Sequence, residues 1–215
     1  LKCPLDRYVL AVPETLDVKS KLALVKYMGV VKPISTKITG SIIPVASSVF
    51  VGANAGRYAR SGSANVYIGY RSGYGGDTSS PYTSNSGYQN VAVGQNSLNA
   101  NTTASNNSAF GQSALAANTT GSANVAVGKD ALLANTTGAR NTAVGQGALD
   151  ANTTGADNIA VGQNALTANT TASSNIAVGG NAAAANTTGA KIVAIGDGAL
   201  AANTTADYNT AVGYQ

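Results

Sequence analysis

The feature that most constrains this 215-residue chain is a glycine that returns every 17 residues. It stands at Gly94, Gly111, Gly128, Gly145, Gly162, Gly179, Gly196 and Gly213, and the earlier pair Gly52 and Gly69 keeps the same interval. Ten copies are visible, with eight extra residues between the second and third. Spacing this strict makes each copy one structural unit stacked on the next. Seventeen residues are too few for a helical repeat, which needs roughly 33, or for a propeller blade, which needs about 40. They suffice for one coil of a parallel β-solenoid, two or three short extended segments joined by turns. The predicted class is therefore all-β. Coils stacked ~4.8 Å apart make ten copies a rod of about 45–50 Å.

Each glycine closes a short strand such as "TAVG" (Thr142–Gly145), "IAVG" (Ile159–Gly162) or "VAIG" (Val193–Gly196). Alternation puts the two outer residues on one face and the central alanine on the other. The branched pair is expected to fill the lumen of the coil. The alanine column Ala92, Ala109, Ala126, Ala143, Ala160, Ala177, Ala194 and Ala211 is then left to meet another chain closely. On this reading Ala160→Phe abolishes assembly. Four residues past each glycine a second core stripe is predicted: Leu98, Leu115, Leu132, Leu149, Leu166 and Leu200, with Ala183 in one coil.

Two polar columns accompany these stripes. An asparagine precedes the glycine by four residues at Asn65, Asn90, Asn107, Asn124, Asn141, Asn158, Asn175 and Asn209. Stacked asparagines hydrogen-bond to one another and to turn backbone. Ile192 interrupts the column and is expected to weaken one rung. The second column is Asn-Thr-Thr, beginning at Asn101, Asn118, Asn135, Asn152, Asn169, Asn186 and Asn203. Each is formally a glycan acceptor, but glycans ~4.8 Å apart along one column would collide. The expected role is a turn, with asparagine in a left-handed or Asx conformation and threonine hydroxyls laddering along the rod. Two adjacent threonines in extended chain point to opposite faces, so one threonine column at most faces solvent.

Composition excludes several functions. The chain has no His, one cysteine (Cys3) and 10% charged residues, so the usual bases, nucleophile pairs and disulfide frameworks are missing. The aspartates Asp130, Asp150, Asp157, Asp197 and Asp207 form no column; neither a calcium roll nor a catalytic carboxylate pair is implied, and no enzyme, metal or cofactor is expected. The net charge of +4 sits in residues 1–47, which hold seven Lys/Arg and three acids, whereas residues 48–215 hold six of each sign. A nucleic-acid partner would call for a basic, aromatic-interleaved stripe along the repeats, so none is expected. No window approaches the ~18 apolar residues of a membrane span.

Two regions depart from the repeat. Residues 1–47 contain "TLDVKSKLALVKYMG", with Thr15 as a cap, Leu22, Val25 and Met28 at helical spacing and Gly29 as a stop, which predicts a short helix. This segment is read as a cap over the first coil or an anchor to a particle or fibre base. Residues 48–215 form the repeat domain. The insertion, placed at about 71–88, is read as an exposed loop in which Tyr74, Tyr82 and Tyr88 offer faces to a sugar, with Arg71 and Asp77 as polar partners.

The strands "NTAVG", "NIAVG" and "NVAVG", followed by "ALxANTTG", resemble the head repeats of trimeric autotransporter adhesins, whose signature is a related Asn-Ser-Val-Ala-Ile-Gly strand. They are still more similar to the longer Asn-Thr-Thr-Gly versions in fibre proteins of bacteriophages and large viruses. The resemblance covers residues 48–215. It implies a left-handed parallel β-roll, three chains side by side and a role in host-surface attachment, at a virion surface or, alternatively, a bacterial one. The 17-residue period departs from the shorter adhesin unit. Trimerisation has independent support, because one thin coil of Ala, Val and Leu buries little apolar area against the ordering cost of its turns. An ice-binding solenoid is the alternative from another class.

Overall fold

The computed structural model describes residues 47–59, 61–75 and 85–214. The helix expected before Gly29, most of the 1–47 segment, and Asp77 and Tyr82 lie outside these residues.

Among the described residues ten three-residue strands form one sheet: β1 (Val49–Val51), β2 (Val66–Ile68), β3 (Val91–Val93), β4 (Ser108–Phe110), β5 (Val125–Val127), β6 (Thr142–Val144), β7 (Ile159–Val161), β8 (Ile176–Val178), β9 (Val193–Ile195) and β10 (Thr210–Val212). Their order in the sheet is their order in the chain, and every pair is parallel. Equivalent residues pair directly, as in Ala143↔Ala160, and the register passes through the insertion unbroken, with Val66↔Val91. The described repeat region is thus a parallel β-solenoid with one lap per 17 residues.

The lap is narrow because three corners turn through left-handed backbone. One lies two residues past the glycine (Asn96, Ser113, Asp130), one at the leucine stripe (Leu98, Leu115, Leu132), and one just before the asparagine corner (Asn106, Ala123, Arg140). The strand-closing glycine is needed for a different reason: a Cβ on Gly128, where φ is +132°, would meet the Gly145 carbonyl oxygen at 2.6 Å. Stacked neighbours leave no room for a side chain there.

This geometry reverses the expected assignment of the strand faces. The alanine column points into the lumen: Ala92, Ala109, Ala126, Ala143, Ala160, Ala177 and Ala194 are fully buried within the single chain, and Ala211 in the last coil is half-buried. They join the leucine stripe and a further alanine stripe (Ala114, Ala131, Ala148) in one continuous core. The branched outer residues face solvent. Packing space decides the matter, since a lap whose lumen already holds a leucine admits only a methyl group from the strand opposite. The alanines are therefore core residues and present no surface to a second chain.

The first two coils solve the same packing problem with the sizes exchanged. Phe50 and Tyr67 occupy the strand centre and stack with ring centroids 5.3 Å apart. Gly56 and Gly73 then stand where later coils carry leucine, and a Cβ on Gly56 would lie 2.8 Å from the Phe50 ring. The Tyr67 hydroxyl accepts a hydrogen bond from Asn85 Nδ2 at 3.3 Å. In the coil where Ala183 replaces leucine, buried Ile192 adds apolar volume to the same core.

Candidate interaction surfaces

Both asparagine columns are buried up to the last coil, where Asn203 and Asn209 are half-buried, and both form ladders. At the corner before each strand the side chain works in two directions: Asn124 Oδ1 accepts from the Asn141 backbone N–H at 2.9 Å, and Asn124 Nδ2 donates to the Gly138 carbonyl at 2.9 Å. Ile192 donates its N–H to Asn175 Oδ1 at 3.1 Å but supplies no side-chain acceptor to the coil after it. In the Asn-Thr-Thr column, Asn135 Nδ2 donates to Asn118 Oδ1 at 2.8 Å and to the Gly138 carbonyl at 3.0 Å. The two ladders thus converge on one carbonyl per lap.

These asparagines close their turn through the side chain, and the left-handed backbone falls on the corners described above, not on them. Asn101 Oδ1 is buried without a partner, a missing rung between the Asn85–Asn101 link and the run that starts at Asn118. The first threonine of each motif does ladder: Thr119 Oγ1 donates to the Thr136 carbonyl at 3.1 Å, and Thr136 Oγ1 to that of Thr153 at 3.0 Å. The second threonine (Thr120, Thr137, Thr154) is the single exposed column.

Outside the lumen and the ladders, two kinds of surface remain. The first is the outer face of the sheet. Its two rows include Val125 (37% exposed), Ile159 (41%) and Ile176 on one side, and Phe110 (42%), Val127, Val144, Val178 and Ile195 on the other. No charged residue occurs in any of the ten strands, and only Ser108, Thr142 and Thr210 interrupt the first row. Isolated exposed apolar residues are ordinary, whereas soluble monomers seldom leave a continuous stripe larger than roughly a few hundred Å² uncovered.

The second surface surrounds the insertion, whose described ends are part of the solenoid. Arg71 to Gly75 complete the second coil, and Asn85 re-enters it, donating its backbone N–H to the Tyr58 carbonyl at 2.8 Å and accepting Asn101 Nδ2 at 2.9 Å. Asn85 therefore does the work of the Asn-Thr-Thr asparagine in that coil. It escapes sequence reading because it precedes Asn90 by five residues where Asn118 precedes Asn124 by six. Tyr74 is 7% exposed and its ring is covered, so it offers no face to a sugar. The Arg71 guanidinium carbon lies 4.5 Å from the Tyr74 ring centroid, and Tyr58 meets that ring edge-on at 5.0 Å. Burial raises the Tyr74 phenol above its ordinary value, the neighbouring Tyr58 adds to the effect, and Arg57 and Arg71 oppose it. Tyr88 is half exposed.

The remaining charges are scattered. Arg140 and Asp157, one lap apart and both exposed, pair through two hydrogen bonds of 2.6 and 2.8 Å, and the guanidinium holds the Asp157 carboxyl below the usual carboxylate range. Burial lifts the Asp150 carboxyl above that range, with the charge of Asp130 adding to the effect. Among the described residues no three His, Cys, Asp or Glu side chains converge, and no helix is long and apolar enough to cross a membrane. No family model, curated protein or solved structure matches the chain.

Proposed function

We propose that the chain is a structural attachment protein: a stiff segment of a homotrimeric fibre that projects from a virion and carries it to a host surface. The observation that carries this reading is the uncharged, mainly Val/Ile face running along the ten strands. A lumen lined by alanine and leucine gives each chain a thin core. Three copies meeting through their valines and isoleucines add a second apolar core along a common axis, and association then removes from water the surface that a lone rod leaves wet. The identical lap repeats the same contact at every level, so the assembly gains stiffness along its length. Residues 1–47, with their basic excess, supply the attachment to a particle or fibre base.

Electron microscopy of the purified chain tests this reading through the cross-section of the rods. Three lobes around an axis are expected, and single thin rods would contradict it. A bacterial trimeric adhesin head shares the architecture, and a membrane-anchor barrel encoded in the same reading frame decides for it. The ice-binding reading draws support from the exposed threonine column. Its rank is lower because Arg140 and Asp157 each lie three residues beyond an exposed threonine, Thr137 and Thr154, and place charges on that side of the lap. Thermal hysteresis of the purified chain separates the two.

A further inference from the structure

On the first two coils two guanidinium groups lie over a pair of tyrosine rings that touch each other, and no acid among the described residues neutralises either one. Arg57 lies in the lap after β1 and Arg71 in the lap after β2. The Arg57 guanidinium carbon is 5.6 Å from the Tyr58 ring centroid and that of Arg71 is 4.5 Å from the Tyr74 centroid. The rings themselves meet at 5.0 Å and 87°, and the Tyr58 N–H donates to the Tyr74 carbonyl at 3.0 Å, fixing the laps to each other. Both arginines act on one phenol, that of Tyr74. Each is thus laid on an aromatic support that is itself anchored in the solenoid, which removes much of the conformational freedom an exposed arginine would lose on binding.

Among the described residues the hydrogen-bonding capacity of these groups is almost unspent. Arg57 Nη1 donates to Asn54 Oδ1 at 3.0 Å, and no hydrogen bond joins the Arg71 guanidinium to any described residue. Among the described residues neither lies within 4 Å of a carboxylate. The other described cations differ: Lys129 pairs with Asp130 at 3.4 Å, Arg140 with Asp157, and Lys191 Nζ donates to the Tyr208 hydroxyl at 3.0 Å with Asp207 nearby. A guanidinium stacked on a ring still presents its N–H edge, and two such edges suit a group with several anionic oxygens.

We infer that Arg57 and Arg71 form a binding site for the carboxylate or sulfate groups of an acidic polysaccharide. The anionic chemistry follows from two guanidiniums that no described carboxylate neutralises, and the covered Tyr74 face argues against a neutral sugar stacked there. That the anion is borne on a polysaccharide rests on the attachment reading.

The test measures binding of the full chain to three immobilised polymers: heparin (sulfate), polygalacturonate (carboxylate) and dextran (neutral). Binding to one or both acidic polymers and none to dextran is expected, with free inorganic sulfate competing. The variant R57Q/R71Q is expected to bind at least about tenfold more weakly, and the variant K129Q/K191Q, which removes the same charge elsewhere, to bind as the unaltered chain does. Absence of binding by the unaltered chain overturns the proposal, as does equal loss in the two variants, which would mean diffuse attraction. Sulfate competition on the unaltered chain keeps the test decisive should R57Q/R71Q fold poorly. A trimer that binds neither acidic polymer refutes the site and leaves the fibre reading standing, whereas a monomer that binds them does the reverse.

Discussion

Gly73 faces the ring of Tyr67 across the lumen so closely that a Cβ on the glycine would overlap the ring. One coil later the same two places hold Leu98 and Ala92, both fully buried. The lumen therefore conserves volume and not residue identity, and the pair can be exchanged.

Gly73→Leu alone inserts a leucine into occupied space and is expected to unfold the first coils. Tyr67→Ala alone empties the lumen and costs about 3–5 kcal/mol. The double variant Y67A/G73L recreates the later coil and is expected to recover most of the loss, giving a favourable coupling energy of about 2 kcal/mol or more in a denaturant double-mutant cycle. Additive losses would show that the two positions do not share the space.

The asparagine ladder makes a separate prediction. Asn141 Oδ1 accepts from the backbone N–H and Nδ2 of Asn158 at 3.0 and 3.1 Å, and its Nδ2 donates to the Gly155 carbonyl at 2.8 Å, all in a fully buried setting. Asn141→Ala strands these partners and is expected to cost about 2–3 kcal/mol. Gln146→Ala, on the exposed side of the same coil, stays within about 0.5 kcal/mol. Chemical denaturation of both variants checks the contrast.

What the sequence made legible follows from these contacts. The glycine interval specifies the lap because a backbone-to-backbone clash leaves no substitute, and the leucine and asparagine stripes are read correctly for the same reason of strict stacking. The strand faces are not legible: alternation separates alanine from valine, but only the width of the lumen decides which goes inside. Leu132 at φ +52° is equally hidden, since local preference puts glycine or asparagine there and tertiary packing overrides it. Among the candidate binding residues, Arg71 stays at the surface, whereas Tyr74 turns inward as its support, a role that spacing alone does not reveal. Tyr58 and Arg57, one lap earlier, complete that group through stacking across 17-residue units.

Burial of the Asn-Thr-Thr asparagines bears on modification. The Nδ2 of Asn135, the atom a glycan would join, makes two hydrogen bonds inside the chain. Folded protein exposed to an oligosaccharyltransferase and lipid-linked donor is expected to remain unmodified at Asn118, Asn135 and Asn152, while denatured chain accepts glycans. Intact-mass measurement distinguishes the two states, and a glycosylated folded rod would contradict the buried ladder.

The raised Asp150 carboxyl gives a pH dependence. Its folded form holds the proton more tightly than the unfolded chain does, so its contribution to stability falls as pH rises from the ordinary carboxylate range through the raised value. Asp150→Asn is therefore expected to stabilise the protein at pH 7 and to have no effect well below the carboxylate range. Because the site is partly solvated, the gain is about 0.5 kcal/mol or less. Thermal melts of the two proteins at pH 3 and pH 7 supply the comparison.

The direct test of the central claim, that the Val/Ile face and not the alanine column joins the chains, is the mass of the native protein by sedimentation equilibrium, taken with two variants. The unaltered chain is expected at three times the chain mass. I159E/I176E, which places carboxylates on the outer face, is expected at one chain mass with its β-spectrum retained, whereas Ala160→Phe is expected to lose the β-spectrum itself. An unaltered chain that sediments as a monomer, or an I159E/I176E variant that stays trimeric, would contradict the account.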